Sequence, residues 1–85
     1  MSKIKVLKSN WIEMANNAMN LNTFSNVRKG RFGMDESDDT YYIEVTELQK
    51  NADGSDNKYM IATYKEAEEK VWEEDYANII AALNS

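Results

Sequence analysis

The sequence predicts an α+β fold, a small antiparallel sheet with helices packed on one face, and three observations carry that expectation. From Thr40 the chain reads Thr-Tyr-Tyr-Ile-Glu-Val, so Tyr41, Ile43 and Val45 fall on one side of a strand and Tyr42, Glu44 and Thr46 on the other. After Leu48 comes a polar run around Asp53-Gly54, which supplies the positive φ of a tight turn. Tyr59, Ile61 and Thr63 then alternate with Met60, Ala62 and Tyr64, completing an antiparallel hairpin. Beyond Thr63 the apolar spacing lengthens to that of a helix.

Taken in order, the first element is a short strand at residues 3–8, where lysines alternate with Ile4 and Val6 and suit an exposed edge. Asn10-Trp11-Ile12-Glu13 has the spacing of a capping box, and Trp11, Met14, Ala15, Ala18 and Met19 recur at helical intervals. The spacing therefore predicts a helix over residues 11–20. The Asn- and Thr-rich connection that follows is expected to tuck Leu21 and Phe24 inward. Residues 27–34 form a candidate strand made irregular by Gly30 and Gly33.

A second capping-box spacing, Thr63-Tyr64-Lys65-Glu66, marks the start of the last helix near Lys65. Glu66, Glu68 and Glu69 crowd its first turn, where the helix dipole favours negative charge. Its apolar residues lie on two lines: Tyr64, Ala67 and Val71, then Trp72, Tyr76, Ile79, Ile80 and Leu83. The phase change predicts a kink or break around Glu73, Glu74 and Asp75. The expected order is β-α-β-β-β-α, with a core of Trp11, Met14, Met19, Phe24, Ile43, Val45, Ile61, Val71, Ile79, Ile80 and Leu83.

With 85 residues, no repeat and no linker-like run, the chain is expected to be a single small domain over residues 1–85. A chain this short buries only about 60% of its unfolded surface, which leaves no room for a large enclosed active site. Cysteine and histidine are absent, which removes thiolate and imidazole chemistry and the usual zinc ligands. No enzymatic activity, cofactor or metal is expected. Asp35-x-Ser37-x-Asp39 and Asn51-x-Asp53-x-Ser55 begin like calcium loops. They lack the glycine at the sixth position and the glutamate at the twelfth that such a loop requires. No leader-like segment opens the chain and no run is apolar enough to span a bilayer, so a cytoplasmic location without membrane contact is expected. Abundant Asn, Lys, Ile, Tyr and Glu suggest AT-rich codons and a low-GC microbe or its phage.

The net charge of −5 conceals a division. Before Met34, Lys3, Lys5, Lys8, Arg28, Lys29 and Arg31 stand against the single anion Glu13; from Asp35 onward, fourteen acids face Lys50, Lys58, Lys65 and Lys70. Asp35, Glu36, Asp38 and Asp39 form an acidic loop, while Glu66, Glu69, Glu73, Glu74 and Asp75 are expected on the outer side of the last helix. Such acid either keeps a small domain soluble or presents carboxylates to a basic partner in place of phosphates. Trp72 beside Glu73 and Glu74 is a candidate aromatic anchor for that contact. Tyr42, Tyr59, Tyr64 and Tyr76 serve either packing or an aromatic binding face.

In size and charge the whole chain is similar in character to phage-encoded inhibitors of nucleic-acid-binding machinery, such as anti-CRISPR proteins and DNA mimics. That resemblance implies a non-enzymatic inhibitor or adaptor whose partner is a basic, nucleic-acid-binding protein. Two other readings stay open. One is a structural subunit that forms a homo-oligomer by docking its basic first part on a neighbour's acidic part. The other is direct nucleic-acid binding through the six early cations, including those of Lys29-Gly30-Arg31-Phe32-Gly33-Met34, which resembles the basic and aromatic strand of an RNA-recognition domain. The acidic balance disfavours the last.

Overall fold

A computed structural model describes residues 2–14, 17–32 and 40–84. Among them are six strands, β1 (Ile4–Val6), β2 (Trp11–Met14), β3 (Asn17–Asn20), β4 (Phe24–Arg31), β5 (Tyr41–Glu47) and β6 (Lys58–Tyr64), followed by one helix, α1 (Glu69–Leu83). The α+β class holds, but the arrangement differs from the expected one. There are two three-stranded antiparallel sheets, ordered β1-β2-β3 and β4-β5-β6, and one α-helix that packs against β1, β4 and β5.

In place of the helix expected over residues 11–20, β2 pairs antiparallel with β3, so that Ile12 faces Met19 and Met14 faces Asn17. Burial explains the outcome: Ile12 and Met14 are buried while Trp11 and Glu13 are exposed, a period of two. Ile12, which the helical pattern left off its apolar face, lies at the centre of the core. The supposed cap residue belongs to a turn. Ser9 and Asn10 hold φ of 60° and 65°, and the Asn10 amide donates to Asn22 Oδ1 at 3.3 Å. Both residues occupy the left-handed region, where a Cβ is costly. Ser9→Gly is therefore expected to stabilise the fold by about 0.5 kcal/mol, seen as a higher urea midpoint.

The second sheet follows the sequence more closely. Val45 pairs with Val27 on one side and Tyr59 on the other, and the Tyr41, Ile43 and Val45 face is buried. In the connection between β5 and β6, Gly54 takes φ 86°, and Asp53 Oδ1 accepts from the Ser55 backbone and hydroxyl at 2.9 and 2.6 Å. Those bonds hold the Asp53 carboxyl below its usual range.

At Gly30 in β4 the Tyr42 ring lies where a Cβ would stand, and that ring also packs on Phe32 with centroids 4.9 Å apart. Gly30→Ala is expected to swing the ring away and cost about 2 kcal/mol in chemical denaturation.

Helix α1 runs from Glu69 to Leu83 without the break expected around Glu73, Glu74 and Asp75. Trp72, Asp75 and Ile79 face inward, with Val71, Tyr76 and Ala82 packed at the flanks. The two apolar lines are the margins of one wide stripe with a carboxylate at its centre. A 3-10 turn at Glu66–Glu68 precedes the helix, and its cap is the Lys65 N–H donating to Glu68 Oε1 at 3.0 Å rather than a contact of Thr63. Leu21 and Phe24 are buried as expected, whereas Trp11 and Leu83 lie outside the core. Ile4, Leu21, Val27, Tyr41, Tyr64 and Trp72 complete it. Among the described residues no helix is long and apolar enough to cross a membrane.

Candidate protein-binding face

The exposed side of α1 and the turn before it carry Glu66, Glu69, Glu73 and Glu74. An inward stripe of Trp72, Asp75 and Ile79 leaves these positions no choice but solvent, because residues a turn apart share a face. Glu69 and Glu73 lie about 6 Å apart along the axis at 1.5 Å per residue.

Among the described residues, the acids in ion pairs are Glu68 with Lys3 at 3.4 Å, Glu44 with Arg28 at 2.7 Å and Asp56 with Lys50 at 2.8 Å. The Glu66, Glu73 and Glu74 side chains are in no ion pair or hydrogen bond among the described residues. Glu66 and Lys70, four residues apart, form no ion pair among the described residues, since Glu66 sits in the 3-10 turn, where side chains eclipse every three residues instead. Glu69 stands beside Tyr41, whose phenol is pushed up first by burial and then by that carboxylate, against Arg31, which draws it down.

Asp75 is not part of this face. It is fully buried, and its Oδ2 accepts from the Tyr64 hydroxyl at 2.7 Å and the Lys3 backbone N–H at 2.9 Å. Its Oδ1 is buried with no partner among the described residues. The Tyr64 phenol is driven far up by burial first, then by its bond to Asp75. Lys3 completes the cluster: its ammonium donates to the Thr63 carbonyl at 2.7 Å and lies 5.1 Å from the Tyr64 ring centre. One carboxylate thus ties the start of the first sheet to the end of the second through the helix.

Trp72 is likewise withdrawn from the surface. Only 8% of it is exposed; its indole N–H donates to the Tyr42 carbonyl at 2.9 Å, and its ring stacks on Tyr41 at 4.2 Å. Lys29 reaches over Trp72 and Tyr76 at 4.9 and 5.3 Å, and Arg31 over Tyr41 at 5.9 Å. These cations of β4 are spent on aromatic faces of the protein itself. The Tyr59 hydroxyl donates to Glu47 at 3.3 Å, so Tyr59 and Tyr64 take part in internal contacts.

Asp35, Glu36, Asp38 and Asp39 lie outside the described residues. The structure therefore brings together Glu66, Glu69, Glu73 and Glu74, and separates Asp75 and Trp72 from them. Trp11, expected in the core, is instead 42% exposed. Its alternation with Ile12 was the available signal. No group of three or more Asp or Glu side chains among the described residues is placed to hold a metal ion. Comparison with protein-family models, with curated proteins and with solved structures gave no match.

Proposed function

We propose that the protein is a non-enzymatic inhibitor or adaptor that presents an acidic, phosphate-like surface to a basic, nucleic-acid-binding protein. The observation that supports this reading is the unequal use of acid. Glu44, Asp56 and Glu68 are neutralised by cations, whereas Glu66, Glu73 and Glu74 stand on one exposed side with no ion-pair partner among the described residues. Glu69 extends the row. Carboxylates crowded in this way raise the local negative potential and steer a cationic surface toward it. They also repel one another, a cost that contact with a basic partner relieves.

Asp35, Glu36, Asp38 and Asp39 add acid to the same chain. A phage anti-defence role, of the anti-CRISPR kind, is the biological setting that this size and charge suit.

The test is capture from a microbial lysate with the purified protein as bait, washed across a salt series, together with its mass in solution. A nucleic-acid-binding protein released by moderate salt is the expected result, because exposed charges are screened over about 8 Å at physiological ionic strength. A salt-sensitive homo-oligomer with no captured partner would replace this reading with that of an assembly subunit.

A further inference from the structure

Strand β1 forms an outer edge of its sheet, and an open groove of about 570 Å³ runs beside it, lined by Ser2, Lys3, Ile4, Lys5, Val6, Glu13 and Asn78. The register shows which backbone groups face that groove. The Leu7 N–H donates to the Trp11 carbonyl at 2.7 Å, so Leu7 and Trp11 are a hydrogen-bonded pair. Alternation along an antiparallel ladder makes Lys5 with Glu13 the next such pair. Ile4 and Val6 then turn their N–H and C=O groups away from β2, and no backbone partner among the described residues meets them there. Unpaired backbone groups along a sheet edge are a template for a partner strand that supplies the missing ladder.

We propose that this groove binds an extended peptide from a protein partner, added as a fourth strand beside β1 and alternating acidic with apolar residues. The proposal is independent of the acidic face of α1. Backbone pairing to Ile4 and Val6 offers up to four hydrogen bonds, two donated and two accepted. An extended peptide supplies these whatever its side chains, as in strand addition to sheet edges generally.

The side chains set the chemistry. Lys5 is exposed, has no ion pair among the described residues and projects on the outer face, whereas the Lys3 ammonium is held by the Thr63 carbonyl and Glu68. Glu13 faces Lys5 across the ladder but is one strand further from the edge, about 4.8 Å behind it. Peptide residues on the Lys5 side are therefore selected for negative charge. Those on the opposite side meet Val6, which is 36% exposed, and the Asn78 amide on α1, and are selected for small apolar character.

The other sheet edges fit such a ligand less well. β3, bounded by Asn17 and Asn20, carries no cation. β4 carries Arg28, Lys29 and Arg31, with Arg28 paired to Glu44 and the other two laid over aromatic rings. β6 is interrupted by a register shift and has its Thr63 carbonyl taken by Lys3.

The probe is a fluorescently labelled pentapeptide alternating glutamate and valine, titrated into the full chain while anisotropy and amide hydrogen exchange are followed. Saturable binding is expected, with exchange at Ile4 and Val6 slowed roughly tenfold. The Lys5 amide, already bonded across the ladder, should be unchanged. Lys5→Gln should weaken binding roughly threefold, as removal of one exposed charge pair does. Val6→Pro, which removes an outward N–H at an edge position that tolerates proline, should abolish it. The proposal is overturned if the peptide does not bind, if it binds without protecting Ile4 and Val6, or if a lysine and valine peptide binds equally well.

Discussion

Asp75→Ala is expected to destabilise the protein by about 3 kcal/mol, because it leaves two donors of a buried cluster without an acceptor at roughly 1–3 kcal/mol each. The donors are the Tyr64 hydroxyl and the Lys3 N–H. Part of this is offset because the variant no longer buries a carboxyl group that has no ion pair among the described residues, which is why the full sum is not reached. Asp75→Asn keeps an acceptor for Tyr64 and should cost less than alanine. Tyr64→Phe leaves Oδ2 with a single donor, and a double-mutant cycle between the two positions should give a coupling above about 1 kcal/mol. Urea unfolding of the four proteins measures all of this, and an alanine variant within about 0.5 kcal/mol of the parent would contradict the assigned role.

The same cluster fixes a pH dependence. The Tyr64 phenol titrates far above its ordinary value because burial and Asp75 disfavour its anion. Its contribution is fully present below the unfolded value of about 10 and declines above it, where the unfolded chain loses a proton that the folded chain keeps. Stability should therefore fall from about pH 10 upward, with a smaller slope in Tyr64→Phe.

The largest effect on binding is expected from changing Glu66, Glu69, Glu73 and Glu74 together to Gln. Individual exposed charge contacts contribute about 0.2–1 kcal/mol, so four of them should lower affinity for the captured partner roughly tenfold to a hundredfold. Glutamine keeps the size and helix preference of glutamate, and none of the four is in an ion pair among the described residues. The fold should stay within about 0.5 kcal/mol of the parent. The loss should appear largely in the association rate and shrink at high salt, the pattern of electrostatic steering.

How much of this was legible depended on whether the determining contacts were local. The β5–β6 hairpin could be read because Tyr41, Ile43 and Val45 alternate cleanly and Asp53-Gly54 marks the turn. The last helix could be read from its acidic start and its Ile79 and Ile80 spacing. Residues 11–20 misled because Trp11, Met14, Ala18 and Met19 match a helical face. The alternation of Trp11 and Glu13 with Ile12 and Met14 is only four residues long, and the burial that decides it comes from the rest of the core. Of the candidate site, the exposed glutamates followed from helical spacing alone. Asp75 did not, since a carboxylate reads as solvent-facing until its partners are known, and these lie 11 and 72 residues away in the chain. Trp72 was misplaced for the same reason: its partner carbonyl at Tyr42 lies across the fold.

The central claim is that the acidic face of α1 takes the place of phosphates on a basic partner, and displacement tests it most directly. The captured partner is loaded with the labelled nucleic acid it binds, and the protein or its four-fold Gln variant is added at fixed salt. The account predicts that the parent releases the nucleic acid at near-stoichiometric amounts and the variant does not. Binding of the parent with the nucleic acid still in place, or equal release by the variant, would contradict it.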